Sequence, residues 1–332
     1  MIVGNKKQKS FKSAKEVSFL YSPKDITLED DGFHGSTNSR FTEWWYFDTV
    51  CDNGYTVQMS VRFMSIINKR FLRISKRFNI YKNGELIQYD SKIFSGKKSE
   101  LSKKYPIIKL DGKTIINGTI GKDGKWVYDL SFHGENMSAD LTFEGDAKGW
   151  KGKNPGGDGW NVILPKASVK GVLRIKDEEI NVQGIGYHDH NFNVRTSAVR
   201  NNLGWVWGKI YSQNFTATWA TIFDKKGLGR PILVINENKE NYTNINPKNI
   251  EFIGYNLKKR NGKYIPYHFD LKAKTKNINF DISMDVSTTH YVKKIVIMNY
   301  WRYHVLYKGS ITINGKTEKV NNKQMAEFVR FR

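Results

Sequence analysis

The sequence is poor in cysteine, and this scarcity excludes several kinds of chemistry. Its 332 residues include one cysteine, Cys51, which can form neither a disulfide within the chain nor a cysteine-rich zinc site. Paired-thiol redox chemistry is therefore excluded, and any metal would have to be bound by histidines and carboxylates.

Long apolar runs are also missing. No stretch approaches the roughly 18 apolar residues that a membrane-spanning helix needs, and the apolar run at the start, MIV, is too short for the hydrophobic region of a signal peptide. We therefore expect a soluble, cytoplasmic protein.

Acidic residues are few relative to basic ones. The 54 lysines and arginines exceed the 32 aspartates and glutamates and give a formal net charge of +22. A basic surface binds polyanions by releasing their counterions, but the lysines here are scattered, as in a chain of biased composition. We expect no specific nucleic-acid partner, and peripheral contact with an anionic membrane surface is the other interaction that this charge allows. Nothing in the sequence indicates the oligomeric state.

Helical periodicity is scarce as well, and the best candidate for a helix is the short segment 322–330. The chain is rich instead in short alternating segments separated by dipeptides that favour tight hairpins. These dipeptides are Asp31-Gly32, Asn53-Gly54, Asn83-Gly84, Asp111-Gly112, Asn117-Gly118, Asp123-Gly124, Asp158-Gly159, Asn261-Gly262 and Asn314-Gly315. The pattern predicts an all-β fold of antiparallel strands, closed or packed face to face to hide its edges.

A weak internal repeat divides this β fold in two. The opening segment that starts at Trp44 resembles the one that starts at Trp205, and the closing segment that starts at Gly171 resembles the one that starts at Gly309. We predict a polar N-terminal arm over residues 1–30 and two barrel-sized units over 31–197 and 198–332. A glycine-rich segment within the first unit, 148–161, is predicted to be a loop that serves as a rim or lid element.

The most unusual string is Glu43–Asp48, EWWYFD. Side chains alternate along a strand, so each face of this segment carries aromatic residues and one carboxylate. One interpretation is a covered core strand whose carboxylates cap loops or pair with arginines. The other is a pocket wall in which an apolar environment raises the pKa of a carboxyl group until it can donate a proton near neutral pH.

A second string, Gly184–Phe192, places two histidines on one strand face, His188 and His190, and the side chains of Tyr187, Asp189 and Asn191 on the other. The spacing His-x-His occurs in metal sites, but no further cysteine or histidine cluster lies nearby in sequence, so we expect no metal. A tyrosine, a carboxyl group and an amide on one face suit a proton donor and its positioning groups better. No phosphate-binding loop, nucleophile elbow or kinase signature is present, which argues against nucleotide-dependent chemistry.

Three motifs in a fixed order resemble a known family. They are Glu-Trp-Trp-Tyr at 43–46, Gly-x-Gly-Tyr-x-Asp-His-Asn at 184–191 and Trp-Val-Trp-Gly at 205–208. Together they resemble the carotenoid 1,2-hydratase and AttH-like family, whose fold is also used by fungal pericyclases that catalyse Diels–Alder cyclisations. Over roughly residues 33–332, the resemblance implies an all-β fold of two tandem lipocalin-like antiparallel β-barrels.

The resemblance also implies a chemistry and a set of site residues. Asp189 would be the general acid that protonates a C=C bond of a hydrophobic isoprenoid or polyene, in a hydratase, isomerase or cyclase that needs no cofactor. Tyr187 and Glu43 are the other catalytic candidates. The implied substrate-binding residues are Trp44, Trp45, Tyr46, His190, Asn191, Trp205 and Trp207.

The chain departs from the family at two places in the second unit. Lys209 stands where family members commonly have arginine, and the closing segment reads Gln324–Glu327 in place of the glycine-rich string. The substrate can therefore differ from a carotenoid. The alternative is a non-catalytic binding or carrier protein for an apolar ligand, in which Asp189 is a buried structural carboxylate.

Overall fold

The computed structural model describes residues 10–14, 21–36, 40–65, 72–153, 157–195, 202–237, 240–295 and 298–331. In these ranges the chain forms β-strands and three short 3-10 turns, at Leu28–Asp31, Gly96–Lys98 and Pro247–Asn249, with no α-helix. Apart from one short parallel contact, neighbouring strands are antiparallel. The predicted all-β antiparallel fold is confirmed.

The first of two sheets contains thirteen strands among the described residues. They are β2 (Lys24–Asp25), β3 (Phe41–Cys51), β4 (Tyr55–Ser65), β5 (Leu72–Lys82), β6 (Glu85–Ser95), β7 (Ser99–Leu101), β8 (Ile107–Leu110), β9 (Lys113–Ile120), β10 (Trp126–His133), β11 (Met137–Gly145), β12 (Trp150–Lys153), β13 (Gly159–Ile175) and β14 (Glu178–Arg195). The main path runs β6-β5-β4-β3-β14-β13-β11-β10-β9-β8-β7, which is a nearly closed barrel.

The second sheet contains ten strands among the described residues. They are β1 (Phe11–Ser13), β15 (Asn202–Tyr211), β16 (Phe215–Asp224), β17 (Leu228–Glu237), β18 (Asn241–Asn244), β19 (Ile250–Arg260), β20 (Lys263–Lys274), β21 (Ile278–Ile295), β22 (Met298–Ile313) and β23 (Lys316–Phe331). Strand β1 pairs with both β17 and β19 and closes this sheet into a barrel. The two barrels match the expected tandem lipocalin-like architecture.

The hairpin turns follow from the turn dipeptides. Both residues of Asn83-Gly84 have positive φ angles, 52° and 86°, as a type I′ turn requires. Asp111-Gly112, Asn261-Gly262 and Asn314-Gly315 share this conformation. The prediction of a turn at Asn117-Gly118 is wrong, because both residues lie within β9, where Gly118 makes room for Tyr128 and Pro106.

The chain divides into two compact units, each with its own hydrophobic core. One comprises Tyr21–Ala198 and the short piece Asn238–Asn241, and the other comprises the remaining residues. The predicted boundary between 197 and 198 lies outside the described residues. Within the 1–30 segment, Phe11 is buried against Phe223 in the second core.

The glycine-rich segment 148–161 differs from the prediction of a loop. Strand β12 and the beginning of β13 pair in antiparallel register, with Trp150 opposite Val162, so the described residues of this segment are mostly strand. The ring of Trp150 lies 5.6 Å from that of Tyr21, and the Tyr21 hydroxyl donates a 2.7 Å hydrogen bond to the carbonyl of Trp160. Buried aromatic side chains outweigh the flexibility of the glycines.

The internal repeat appears in the topology of both units. In each, the opening strand pairs with the closing strand, β3 with β14 and β15 with β23. Gly171 and Gly309 lie in equivalent positions. A Cβ atom on Gly171 would lie 2.1 Å from the carbonyl oxygen of Asp140 on the neighbouring strand, and one on Gly309 would lie 2.0 Å from that of Asp281. Only glycine allows this close approach of two strands.

The C-terminal segment corrects one secondary-structure prediction. Residues 322–330, the best helical candidate, lie within β23 and pair with β22 along its whole length. Pairing on both sides of this strand outweighs a short helical pattern. Within the described residues, no helix has the length and apolar character needed to cross a membrane.

Candidate active site

Strand β14 positions most of the candidate site residues. It lies between β3 and β13, so both of its edges are hydrogen-bonded to neighbouring strands. Asp189 is directly opposite Tyr46 on β3 and Val162 on β13, whereas His190 is opposite Trp45 and Asn161. Because residues in register share a face, the two strings identified in the sequence combine into two separate clusters, one on each face of the sheet.

The first cluster surrounds the carboxyl group of Asp189, a residue that is only 3% exposed. Its Oδ2 accepts hydrogen bonds from the Tyr187 hydroxyl and the Trp160 indole Nε1, both at 3.0 Å. Its Oδ1 accepts a longer bond, of 3.2 Å, from Asn191 Nδ2. Three neutral donors thus bind one buried carboxyl group, and two of them are aromatic.

Tyr46 extends this cluster on β3. Its hydroxyl donates to Asp48 Oδ2 at 2.8 Å, and its ring lies 6.4 Å from that of Tyr187. Each of the two adjacent strands therefore carries a tyrosine bonded to the aspartate two residues further on. Trp44 continues the same face, half-buried, with the Arg62 guanidinium 5.2 Å from its ring centre. Burial, followed by the charge of a neighbouring arginine, lowers the pKa of Arg62 to about 10.

The second cluster, on the opposite face, is built around Asp31. Its Oδ2 accepts a 2.7 Å hydrogen bond from the Tyr128 hydroxyl and lies 2.9 Å from His188 Nε2. Its Oδ1 lies 3.1 Å from His190 Nδ1, and the other ring nitrogen of His190 is 2.9 Å from Glu43 Oε1. The four ionisable side chains of this cluster, Asp31, Glu43, His188 and His190, are fully buried.

Electrostatics in the second cluster favour a charged His190. Burial alone would lower the pKa of His190, but the carboxylates of Asp31 and Glu43 outweigh burial and raise it. Burial likewise raises the pKa of both acids, and the histidines beside them reverse that effect, leaving the pKa of Asp31 and of Glu43 below the usual range. At neutral pH, His190 is an imidazolium between two carboxylates.

The structure separates the sequence-predicted site residues. Asp189, Tyr187, Asn191 and Tyr46 lie together, and Trp44 lies on the same face. Three predicted residues lie on the opposite face, where the ring of Trp45 stacks 4.4 Å from that of His190 and His190 in turn contacts Glu43. His190 therefore contacts Asp31 and Glu43, not Asp189.

Two predicted aromatic residues belong to the second unit. Trp205 packs with its ring 5.3 Å from that of Phe331. Trp207 donates from Nε1 to Glu327 Oε2 at 3.0 Å. Glu327 Oε1 also accepts a hydrogen bond from Tyr300 and lies 3.6 Å from Arg302, so the segment that departs from the family contributes a buried carboxylate of its own.

Sequence reasoning missed three residues of the two clusters. Asp31 was read as part of a turn, Trp160 as part of a glycine-rich loop, and Tyr128 received no role. The positions of Asp31 and His188 differ by 157, and no local periodicity connects residues so far apart. A usable signal existed for Trp160, because tryptophan is unusual in an exposed glycine-rich loop.

With this geometry established, the chain can be compared with known proteins. No family model matches it, and no curated protein does. Solved structures do match. A candidate AttH from Nitrosomonas europaea superimposes with a TM-score of 0.67 at 15% identity, over 92% of this chain and 96% of that one.

Two further structures match over most of their length. Kievitone hydratase from Nectria haematococca gives a TM-score of 0.54 at 12% identity, over 87% of this chain and 88% of that one. CghA bound to Sch210972 gives a TM-score of 0.63 at 9% identity, over 88% of this chain and 89% of that one. The chain has the fold of these proteins. The resemblance seen in the sequence motifs is thus confirmed for the fold.

Proposed function

We propose that this chain is an enzyme that protonates a C=C bond of a hydrophobic isoprenoid or polyene, with Asp189 as the acid, in a hydratase, isomerase or cyclase reaction. The observation that carries the proposal is the unequal bonding of the two Asp189 oxygens. Oδ2 accepts from both Tyr187 and Trp160 at 3.0 Å, whereas Oδ1 accepts a longer bond, of 3.2 Å, from the amide of Asn191.

This asymmetry decides which oxygen would carry the proton. Two donors already point at Oδ2, so the proton of the acid form belongs on Oδ1. An amide can donate from its nitrogen or, after rotation, accept at its oxygen, so Asn191 can accompany Asp189 in both protonation states. Donors to the carboxylate favour its ionised form, while burial among aromatic residues favours the acid form.

The proposed reaction uses that proton directly. Oδ1 donates it to one carbon of the double bond, the electron pair of the double bond forms the new C–H bond, and the other carbon becomes a tertiary cation. Aromatic faces such as those of Tyr46, Tyr187 and Trp160 would stabilise this cation. In a hydratase, water then adds to the cation and returns a proton to the Asp189 carboxylate. In an isomerase, the cation loses another proton; in a cyclase, a second double bond attacks the cation, and the new cation so formed loses a proton. In both cases the proton that is lost restores the acid form of Asp189.

Two of the structural neighbours are compatible with this class of reaction. One is named as a hydratase, and another was solved with the small molecule Sch210972 bound. At 12% and 9% identity these likenesses concern the fold, and function depends on the side chains grafted onto it. The proposal therefore depends on the Asp189 cluster and not on the neighbours.

A carrier protein for an apolar ligand is the second candidate function. The observation in its favour is that the same three hydrogen bonds would satisfy Asp189 as a structural carboxylate. In that case the tyrosine and the indole would hold the carboxylate in place, and no proton would move.

Isotope labelling distinguishes these functions. The protein would be incubated with an acyclic isoprenoid polyene in D2O that also contains H2(18)O, and the products analysed by mass spectrometry. Hydration adds one deuterium on carbon and one 18O, whereas acid-initiated isomerisation or cyclisation adds deuterium alone. A pericyclic cyclisation converts the polyene without either label, and a carrier returns it unchanged after extraction. Unlabelled or unchanged polyene would contradict the proposed acid.

A further inference from the structure

A second set of side chains in the first unit has the arrangement of a metal site. His34 Nδ1, Glu43 Oε1 and His190 Nε2 all lie within 4.8 Å of one another. Glu43 Oε1 is 2.9 Å from the His190 nitrogen and 3.6 Å from the His34 nitrogen. Two imidazoles and one carboxylate are a ligand set that zinc and related transition metals favour.

The spacing of these atoms fits a tetrahedral ion. Bonds of about 2.0 to 2.1 Å place neighbouring ligand atoms about 3.3 to 3.4 Å apart. The two distances to Glu43 Oε1, 2.9 and 3.6 Å, lie on either side of that value. The remaining distance, between the two histidine nitrogens, is at most 4.8 Å, so an ion would draw these side chains together by up to about 1.5 Å.

Surrounding residues hold the three ligands in place. The ring of His34 stacks on Phe192 at 3.7 Å, and that of His190 stacks on Trp45 at 4.4 Å. The Glu43 carboxylate accepts hydrogen bonds from the backbone amides of His34 and Gly35 at 2.8 and 2.9 Å. Little side-chain freedom would thus be lost on binding an ion.

The other nitrogen of His190 completes the pattern. His190 Nδ1 lies 3.1 Å from Asp31 Oδ1. A carboxylate beside the distal nitrogen of a metal-bound histidine orients the ring and makes the ligand more basic. The two atoms lack hydrogen-bond geometry in this structure, and a ring rotation that aligns Nδ1–H with Asp31 would leave Nε2 to bind a metal.

Exposure supplies a route and an open coordination position. The side chain of His34 is 27% exposed, whereas that of Glu43 is fully buried. An ion can reach the ligands from the His34 side, and its fourth position would face solvent. The charge is also suitable, because a dication would balance two buried carboxylates, Glu43 and Asp31.

We propose that His34, Glu43 and His190 bind one zinc-type divalent ion, which ties the segment around His34 to strands β3 and β14. Asp31 is a positioning residue that acts through His190. The site lies on the face of β14 opposite Asp189, so this proposal stands or falls independently of the proposed reaction.

The test measures metal binding to the whole chain, prepared with a chelator and then exchanged into chelator-free buffer. Zn2+ titration by calorimetry should give one site per chain. Co2+ should give the intense visible absorption of a tetrahedral ion, and Zn2+ should raise the melting temperature. His34→Ala should reduce Zn2+ affinity more than about 100-fold. Asp31→Asn, which changes a positioning residue and not a ligand, should reduce it by roughly 10- to 100-fold.

A surface histidine provides the matched control. His133 Nε2 lies 2.8 Å from Asp140 Oδ1, so it is also a histidine beside a carboxylate, and His133→Ala should leave Zn2+ affinity unchanged. Because His34 is partly exposed, His34→Ala should fold normally, and its melting temperature without metal reports this. Absence of a one-to-one site, or equal Zn2+ affinity in His34→Ala and the parent, would overturn the proposal.

Discussion

Glu327 holds in the second unit the position that Asp189 holds in the first. Each lies on the closing strand, directly opposite an aromatic residue of the opening strand: Trp207 for Glu327 and Tyr46 for Asp189. Each carboxylate also accepts hydrogen bonds from one indole and one tyrosine hydroxyl. The two units therefore share a buried carboxylate at equivalent positions although their closing segments share little sequence.

The proposed acid can be tested by Asp189→Asn. The substitution keeps the size of the side chain and an acceptor for Tyr187 and Trp160, but removes the transferable proton. We expect the rate on an acyclic isoprenoid polyene to fall by about 100-fold or more, with the free energy of unfolding lowered by about 1 kcal/mol.

Asp48→Asn is the matched control for this prediction, because Asp48 is also bound by the tyrosine two residues before it on an adjacent strand. It should show a similar loss of stability and retain activity. If Asp189→Asn keeps the parental rate, the proposed mechanism is wrong.

The two carboxylates should differ in their contribution to stability. Asp189 is bound by neutral donors, whereas Glu327 lies 3.6 Å from the buried guanidinium of Arg302. Removing one partner of a buried ion pair leaves the other charge uncompensated, at a cost of about 3 to 5 kcal/mol. Urea unfolding should therefore show a larger loss for Glu327→Gln than for Asp189→Asn.

A double substitution checks the cause. Arg302→Met removes the charge that Glu327→Gln leaves behind, so the double variant should be less destabilised than the sum of the two single variants. Additive losses would mean that Glu327 and Arg302 do not interact energetically.

A buried histidine in the second unit should make stability depend on pH. Burial, and then the charges of Arg302, Lys209 and His290, lower the pKa of His304 to about 3. An unfolded histidine has a pKa of about 6.5, so the unfolded chain binds more protons as the pH falls below that value. His304 is neutral in the folded state, so its contribution to the free energy of unfolding decreases as the pH falls from about 6.5 toward 3.

The expected size is on the order of 2 to 3 kcal/mol between pH 6.5 and 4.5. His304→Asn cannot titrate, so its unfolding free energy, measured by urea at several pH values, should fall less steeply over this range. Carboxylates contribute to both proteins alike and cancel in the difference. Parallel curves for the two proteins would contradict the assignment.

Substitutions at the two equivalent glycines test whether close strand approach requires glycine in each unit. A methyl group at Gly171 or Gly309 would lie within 2.1 Å of a backbone carbonyl oxygen, which neither strand can avoid without separating. We expect Gly171→Ala and Gly309→Ala each to lower the free energy of unfolding by more than about 2 kcal/mol. Gly112→Ala is the control, since it also has positive φ but no atom within 4 Å of the added group, and it should cost about 1 kcal/mol. Equal costs at all three positions would mean that close strand approach is not what requires glycine.

Much of this fold was predictable because its signals are local. The turn at Asn83-Gly84 depends on two adjacent residues, and alternation along Glu43–Asp48 is a property of one strand. The clusters were predictable only in part. Alternation correctly placed Asp189 with Tyr187, but which face contains Asp31 depends on contacts between distant segments. The same limit explains Phe11, whose place in the second core follows from pairing with β17 and β19 and not from its polar surroundings in sequence.

The excess positive charge leads to the last prediction. A formal charge of +22 spread over the chain should attract any polyanion. Each neutralised phosphate releases counterions, and this contribution to affinity does not depend on the base sequence. For about four phosphate contacts, affinity for duplex DNA should fall about 100-fold between 50 and 200 mM salt. Fluorescence anisotropy with two duplexes of equal length and unrelated sequence should give the same affinity at each salt concentration, and vesicles containing anionic lipid should show the same salt dependence. Binding that distinguishes the two duplexes and persists at physiological salt would mean that the scattered lysines form a specific nucleic-acid site.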